Sequence, residues 1–399
     1  MSREASALPF TDWRGVWVVV AAGVATAYHL GKVAIAAPQL QAELALSLGM
    51  LGGLGATFAV LGALGGLAAG SVVARAGDRR MLVFGLAATA LGAAMAVPTE
   101  SFAVLLASRV VEGLGFVLIT VAGPTVLGRL VRPADQNAAL ALWSCFMPAG
   151  IALAMLTGPW FGDWRSLWAA ATVAAVVIGM LVVWKVPAAP GRAEAPSREP
   201  TPVRVADVWR AGPVALAATF LLYSLMFFAL FSFLPVLLQQ RLQAAPWTVG
   251  LLGALAAAAN IAGNLAAGAL LGRVPREVLV AGAAVTMALC ALGIFLPVLA
   301  AWAAFALCVT FSAVGGLVPA TLLSSVSRVT STPAQAALAV GLLMQGSNLG
   351  QALGPALVGG AVDRHGWPAA AAWVVAAALV MVGLAWKMRR RPAVEIPQP

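Results

Sequence analysis

Charged residues are scarce in this sequence. They make up only 10% of its 399 residues, whereas hydrophobic residues make up 62%. An ordinary soluble domain is roughly a quarter charged. A chain this apolar cannot cover its surface with polar groups. The composition therefore excludes a soluble globular protein and predicts one whose solvent is lipid.

Histidine and cysteine are scarce as well, with two and three residues, respectively. Cys145, Cys290 and Cys308 lie in apolar runs and form no C-x-x-C pair, which excludes a disulfide framework. His29 and His365 lie on different segments, and the chain has no nucleotide-binding G-x-x-x-x-G-K-[ST] loop. We therefore expect no enzyme, no cofactor and no metal site.

Long apolar runs, in contrast, are abundant. A helix needs about 20 mainly apolar residues to cross the hydrocarbon core, and only helices or closed barrels satisfy the backbone there. The runs are continuous rather than alternating, so they predict an all-α membrane protein. Twelve candidate spans, numbered in chain order, cover residues 16–37, 47–73, 81–99, 102–128, 138–160, 167–187, 212–236, 248–272, 278–297, 300–323, 335–359 and 367–386.

One connection between the spans is long. Residues 188–210 are rich in proline, arginine and glutamate and poor in large apolar residues, which is typical of a linker. This segment divides the chain into a six-helix bundle at 1–187 and a second bundle with a short tail at 211–399.

Basic residues predict the orientation in the membrane. If the N-terminus is inside, 19 of the 24 lysines and arginines lie in cytoplasmic segments, and only Arg165, Arg241 and Arg364 lie in outer loops. This bias follows the positive-inside rule. We expect a multi-pass protein of the plasma (inner) membrane with both termini in the cytoplasm. The basic residues are spread over separate loops, so nucleic-acid binding has no support. The lipid bilayer is the expected partner, and a monomer would suffice.

The two halves of the sequence resemble each other. The segment GSVVARAGDRR (70–80) follows span 2, and GALLGRVPRE (268–277) follows span 8, with their first glycines 198 positions apart. Likewise, GPWFGDW begins at Gly158 and GPALVGG begins at Gly354, 196 positions later. Two offsets near half the chain length indicate a duplicated six-helix unit, as many secondary transporters have.

These motifs resemble those of the major facilitator superfamily. The loop 70–80 is similar to its G-x-x-x-[DA]-R-x-G-R-R/K signature, and RVVEGLGF (109–116) is similar to its R-x-x-x-G-x-G motif. GIALAMLTGPWFG (150–162) resembles a glycine–proline motif that is often associated with antiporters. The resemblance implies twelve helices in two pseudo-symmetric bundles and transport by alternating access. It also implies a gating role for Gly70, Arg75, Gly77, Asp78, Arg79, Arg80, Gly158, Pro159, Gly354 and Pro355.

Three charges remain inside spans, namely Lys32, Arg109 and Glu112. Such residues are rare and usually face a protein interior or a water-filled path. Arg109 and Glu112 are three positions apart and share a helix face, as do His29 and Lys32. Three interpretations of Lys32 stay open: it snorkels to the outer headgroups, pairs with Glu112, or faces the substrate. Arg109 has either a structural role or a role in the substrate site.

Glu112 is the first candidate for proton coupling. Burial raises the pKa of a carboxyl group and a nearby cation lowers it, so its proton affinity depends on its surroundings. His29, which titrates near neutrality, is the second candidate and also a cavity candidate. A permanently ionised partner of Lys32 or Arg109 is the alternative for Glu112.

Neutral polar groups replace charges in the second half. Tyr223, Asn260, Asn264, Gln345 and Asn348 are candidate cavity residues. Hydrogen bonds between helices are the alternative explanation for these side chains.

The span charges sum to +1, which favours a small organic anion or a polar metabolite as substrate. We therefore expect a proton-coupled secondary transporter that works by alternating access, with proton-driven efflux of drugs or metabolites as the alternative. A non-transporting receptor of the same fold is a third hypothesis.

Overall fold

Helices are the regular secondary structure of the residues that the computed structural model describes, which are 10–188, 211–271, 273–330 and 333–389, and no strand occurs among these residues. The predicted linker lies outside the described residues from position 189 to 210. The described residues form fifteen α-helices. They are numbered in chain order as Trp13–Leu44, Leu48–Ala76, Asp78–Ala96, Phe102–Leu130, Gln136–Ser144, Phe146–Thr157, Trp164–Lys185, Ala211–Phe231, Leu234–Leu242, Pro246–Leu270, Arg276–Phe295, Ala301–Gly315, Leu317–Val329, Pro333–His365 and Trp367–Arg389.

These helices correspond to the twelve predicted spans, and the all-α membrane fold is confirmed. Ten stretches of the described helices are long and apolar enough to cross a membrane. The two remaining spans are the fifth, built from α5 and α6, and the eleventh, which is α14. Helix α9 is an addition that the hydrophobic pattern did not predict as a separate element.

Three predicted spans are interrupted rather than continuous, and the end of span 7 belongs to α9. Span 5 breaks at Cys145, between α5 and α6, and then ends in a 3₁₀ helix at Gly158–Phe161. Span 10 breaks at Gly316, between α12 and α13. Gly316 lies against the backbone of Asn260 so closely that a side chain there would collide with it. The break therefore accompanies a close backbone approach that only glycine permits.

The packing groups the chain into two compact units. The first is drawn from Met1–Leu44 and Leu64–Ala193, and the second from Ala45–Ala63 and Glu194–Pro399. Helix α2 therefore contributes residues to both units. The predicted division at residues 188–210 stays a prediction.

The first unit has a core of mainly aliphatic side chains, joined by Met81 and Trp143. Helix α1 packs on α4, α6 and α7, and α3 packs on α4 and α7. Glycine allows these contacts to be close, because a Cβ atom at Gly150 of α6 would lie 2.5 Å from the backbone oxygen of Val24. In lipid, such close contact replaces the hydrophobic driving force that packs helices in water.

In the second unit, α14 packs on α8, and α11 packs on α12 and α15. The part of α2 that belongs to this unit is attached to the end of α14. The carboxylate of Asp363 accepts hydrogen bonds from the amides of Leu48 (3.0 Å) and Gly49 (2.7 Å). An acidic side chain at a helix N-terminus satisfies amides that have no partner within the helix.

Candidate functional site

Four ionisable side chains meet inside the first unit. His29 and Lys32 come from α1, and Arg109 and Glu112 come from α4. Each is at most 1% exposed. The helical spacing of three puts both members of each pair on one face of their helix. The packing of α1 on α4 then turns the two faces toward each other.

Glu112 is the centre of this cluster. Its Oε1 accepts a hydrogen bond from Lys32 Nζ at 2.8 Å. Its Oε2 accepts a hydrogen bond from Arg109 Nη1. The same Arg109 nitrogen donates to the backbone oxygen of His29 at 2.9 Å, which connects the two helices a second time.

His29 lies between the lysine and the carboxylate. Its Nδ1 is 2.9 Å from Lys32 Nζ and 3.3 Å from Glu112 Oε2. When Lys32 is an ammonium, it donates to Nδ1, and His29 is the neutral tautomer that carries its proton on Nε2. When Nδ1 carries the proton instead, it donates to Glu112. The pairing in the cluster therefore depends on where one proton resides.

A tryptophan covers the remaining side of the lysine. The Lys32 Nζ lies 4.4 Å from the centroid of the Trp168 ring, and Trp168 of α7 is fully buried. Attraction between a cation and an aromatic face strengthens when both are desolvated. The ring of Trp164 packs edge-on against Trp168, and its Nε1 donates to Glu43 Oε2 at 2.9 Å.

The structure answers part of the question about Lys32. The lysine pairs with Glu112 and is fully buried, so it does not snorkel. Sequence reasoning missed two neighbours of the cluster, Trp168 and Gly92 of α3. A Cβ atom at Gly92 would lie 2.7 Å from Glu112 Cγ, so this glycine makes room for the carboxylate. Neither residue stands out in its apolar run, and no sequence signal could have identified them.

Three of the predicted residues of the second half lie together. Asn260 Nδ2 donates to the Tyr223 hydroxyl at 3.2 Å and to the backbone oxygen of Ser312 at 3.1 Å. Asn264 Nδ2 donates to Asn260 Oδ1 at 3.0 Å. The rings of Phe220 and Phe227 flank Tyr223 along α8, each tilted by 33° from the tyrosine ring. Asn260 therefore has hydrogen-bond partners on other helices, whereas Asn264 bonds to Asn260 within α10.

The other two candidates, Gln345 and Asn348, lie on α14 and are half-buried. A Cβ atom at Gly62 of α2 would lie 3.0 Å from Asn348 Nδ2, so this amide faces the α2 segment of the second unit. On the same helix, Ser347 exchanges a hydrogen bond with Ser224 at 3.0 Å and accepts one from Gln351 at 3.2 Å.

The predicted gating loop forms the turn between α2 and α3. Gly70 and Arg75 lie in α2, Gly77 has φ +94° in the turn, and α3 begins at Asp78. Asp78 is buried and accepts a hydrogen bond from Arg129 Nε at 2.7 Å. The guanidinium of Arg79 donates to the backbone oxygen of Val183, and Arg80 is exposed.

Both glycine–proline pairs lie at close contacts. A Cβ atom at Gly158 would lie 2.8 Å from a methyl carbon of Ile35, and Pro159 follows in the 3₁₀ helix. A Cβ atom at Gly354 would lie 2.6 Å from the backbone oxygen of Leu225, and Pro355 is inside α14. The geometry shows close packing at both positions.

Comparison with known proteins adds a family and several relatives. A family profile described as Major Facilitator Superfamily matches residues 18–336. A chloramphenicol resistance protein of Streptomyces lividans is 31% identical over 252 residues. That match spans 61% of this chain and 62% of the relative, which is less than two thirds of its length.

Two solved structures resemble the fold closely. One is a bacterial homolog of the human lysosomal transporter Spinster in an inward-facing and occupied conformation, with TM-score 0.75, 16% identity and 93% coverage of both chains. The other is a D-xylose–proton symporter, with TM-score 0.74, 16% identity and coverage of 92% of this chain and 97% of that chain.

Proposed function

Because the chain belongs to the Major Facilitator Superfamily, we propose that it is a proton-coupled secondary transporter that exports a small organic solute by alternating access. It is an integral multi-pass membrane protein and a transporter rather than an enzyme. We propose further that transport is coupled to protons and directed outward. We also propose that the protein is a monomer in the inner membrane with both termini in the cytoplasm.

The observation that carries the proposal is the buried cluster around Glu112. A carboxylate that accepts hydrogen bonds from two cations inside a membrane span has two distinct states. In the ionised state it holds Lys32 and Arg109 together across α1 and α4. A proton on Glu112 removes the negative charge and releases both cations. Proton binding therefore changes the attraction between two helices, which is what coupling to a conformational change requires.

His29 extends this network by one proton-accepting atom. Its Nδ1 contacts both Lys32 and Glu112, so a proton can pass along the cluster without a large movement of any side chain. Trp168 excludes water from one side of the lysine. We assign Glu112 the role of proton carrier and His29 that of its relay.

Two observations support export. A relative over part of the chain is a chloramphenicol resistance protein. The segment GIALAMLTGPWFG (150–162) also resembles a glycine–proline motif that is often associated with antiporters. In addition, Lys32 is occupied by Glu112 and buried, so it presents no cation to a substrate in this conformation. We propose a neutral or weakly polar organic solute.

A second candidate is uptake of a small organic anion with a proton. The cluster carries a net charge of +1 when His29 is neutral, because Lys32 and Arg109 outnumber Glu112. An anion that approached the cluster after Glu112 is protonated would meet two unpaired cations.

One experiment distinguishes the two directions. The purified protein is reconstituted into vesicles with a pH-sensitive dye inside. Chloramphenicol is added outside acid-loaded vesicles, and gluconate, an anion whose acid form does not readily cross a bilayer, is added outside vesicles with equal pH on both sides. Antiport exchanges entering chloramphenicol for a leaving proton, so the lumen becomes more alkaline. Symport brings gluconate and a proton in together, so the lumen becomes more acidic.

The matched variants are Glu112→Gln and Glu43→Gln. Both remove one carboxylate charge, but Glu43 lies at the exposed end of α1, where it pairs with Arg165. We expect Glu112→Gln to abolish the solute-driven pH change and Glu43→Gln to retain it. Equal signals in the two variants would exclude Glu112 as the proton carrier.

A further inference from the structure

A pocket rich in arginine lies in the second unit. Its volume is about 400 Å³, and it is formed by the turn between α10 and α11 together with the end of α13. Pockets of roughly 300–1,000 Å³ are typical of small-ligand sites. Three arginines, Arg273, Arg276 and Arg328, and one acid, Glu277, line it together with apolar residues.

The repeat provides a direct comparison for this pocket. In the first unit, Asp78 is the first residue of α3 and pairs with Arg129 at the end of α4. The offset of 198 places Arg276, the first residue of α11, at the position equivalent to Asp78. Arg328 lies at the end of α13, as Arg129 does in α4. An acid–base pair in one half is therefore two arginines in the other.

These positive charges are poorly compensated by the protein. Arg276 and Arg328 repel each other, and Glu277 offsets one charge of the three. Within residues 211–271, 273–330 and 333–389, no ion pair within 4 Å joins Glu277 to an arginine. The polar contact of Arg276 is a hydrogen bond from its Nε to the neutral hydroxyl of Ser324 at 3.3 Å.

The backbone adds to the same positive field. Helix α11 begins beside the pocket, and its N-cap residue, Pro275, makes no capping hydrogen bond from its side chain. The first amides of a helix lack partners within the helix and carry partial positive charge. In α3, the first residue is Asp78, whose carboxylate accepts a hydrogen bond from a backbone amide there, whereas the first residue of α11 is Arg276 and its acid, Glu277, comes second.

We propose that this pocket binds a phosphate-bearing anion, which supplies the negative charge that Asp78 supplies in the first unit. A phosphate accepts hydrogen bonds from guanidinium groups and from free helix amides at once. The headgroup of an anionic lipid and free inorganic phosphate are the two possible sources. Bound there, the anion holds the start of α11 to the end of α13.

Thermal unfolding of the full chain in neutral detergent tests the proposal. Phosphatidylglycerol, phosphatidylcholine and inorganic phosphate are titrated separately at constant ionic strength. We expect phosphatidylglycerol to raise the unfolding temperature and phosphatidylcholine to leave it unchanged. A response to inorganic phosphate as well assigns the site to the phosphate group itself, whereas a response to phosphatidylglycerol alone assigns it to the lipid.

Single arginine variants locate the site. Removal of one basic group near an anionic surface weakens binding about five-fold, so Arg276→Gln and Arg328→Gln each require about five-fold more lipid for the same stabilisation. Arg364→Gln, which removes an exposed arginine at the end of α14, serves as the matched control and keeps the wild-type response. No stabilisation of the wild type, or equal responses in all three variants, would overturn the proposal.

Arg276→Asp provides a test by restoration. It recreates in α11 the acid that Asp78 supplies in α3, opposite Arg328. We expect the variant without lipid to be at least as stable as the wild type without lipid, and to lose its response to phosphatidylglycerol. A variant that folds and still responds as the wild type does contradicts a phosphate site between these helices.

Discussion

The asymmetry of the buried cluster makes a quantitative prediction about stability. Glu112 is the single anion among three partners, with Lys32 Nζ 2.8 Å from one oxygen and Arg109 bound to the other. Glu112→Gln leaves two buried cations without a counter-charge. Removal of one member of a buried pair typically costs about 3–5 kcal/mol, because the remaining charge is desolvated and unpaired. We expect a loss of that size in the free energy of unfolding.

Lys32→Met is the matched perturbation and should cost less. It leaves Arg109 and Glu112 as a neutral pair, and methionine fills the volume of the lysine stem. The loss is that of hydrogen bonds to a charged group, about 1.5–3 kcal/mol. The double variant removes both Lys32 and Glu112 and leaves a single cation. Its loss should fall short of the sum of the single losses by about 0.5–3 kcal/mol, since the two residues are in contact.

Equilibrium unfolding in mixed micelles, with a denaturing detergent as the perturbant, measures all four members of this cycle. Glu43→Gln is the control for loss of an acid at the exposed end of α1. The reasoning is refuted if Lys32→Met is as costly as Glu112→Gln. It is refuted equally if the two losses add within about 0.3–0.5 kcal/mol, the scatter expected of independent sites.

Three further predictions concern packing, capping and pH. Gly150→Val should prevent close approach of α6 to α1 and lower the yield of folded protein in gel filtration. Gly282→Val is the control and should keep the yield, because a Cβ atom at Gly282 would meet no atom of another described segment within 4 Å. Asp363→Ala should destabilise the protein by about 0.5–2 kcal/mol in thermal unfolding, because loss of a helix cap has a cost of this size. Asp363→Asn should retain more than half of the stabilisation that the cap provides. Hydrogen bonds from Thr11 and Arg132 lower the pKa of Asp135. The ionised carboxylate therefore stabilises the fold above the unfolded pKa of about 3.9, and this stabilisation is lost as the pH falls through the lower pKa of the folded state. Asp135→Asn should remove this part of the acid dependence of unfolding.

Hydrophobic runs predicted the spans well, because a membrane requires long apolar helices and little else satisfies the backbone there. The breaks at Cys145 and Gly316 were not predictable from those runs. Both segments are continuous in hydropathy, and the break at Gly316 depends on the backbone of Asn260, which belongs to another helix.

The candidate site, too, was predictable from the sequence only in part. Helical spacing alone places His29 with Lys32 and Arg109 with Glu112, because three positions correspond to one face. That these two faces meet depends on the packing of α1 on α4, which no local pattern encodes. Trp168 belongs to the cluster for a reason that appears only in three dimensions, since nothing in the sequence around it marks its contact with Lys32.

The buried pair has a consequence for biogenesis. Lys32 and Glu112 are 80 positions apart, so at a synthesis rate of about 5–20 residues per second the lysine precedes its partner by about 4–16 s. During that interval, α1 must enter the membrane with a lysine that costs about 2.5–3.5 kcal/mol and has no carboxylate to pair with. The insertion energy of the apolar residues 16–20 of α1 must therefore offset the cost of the lysine at the translocon. Polar substitutions there would reduce membrane insertion of α1, although these residues do not belong to the cluster in which Lys32 pairs with Glu112.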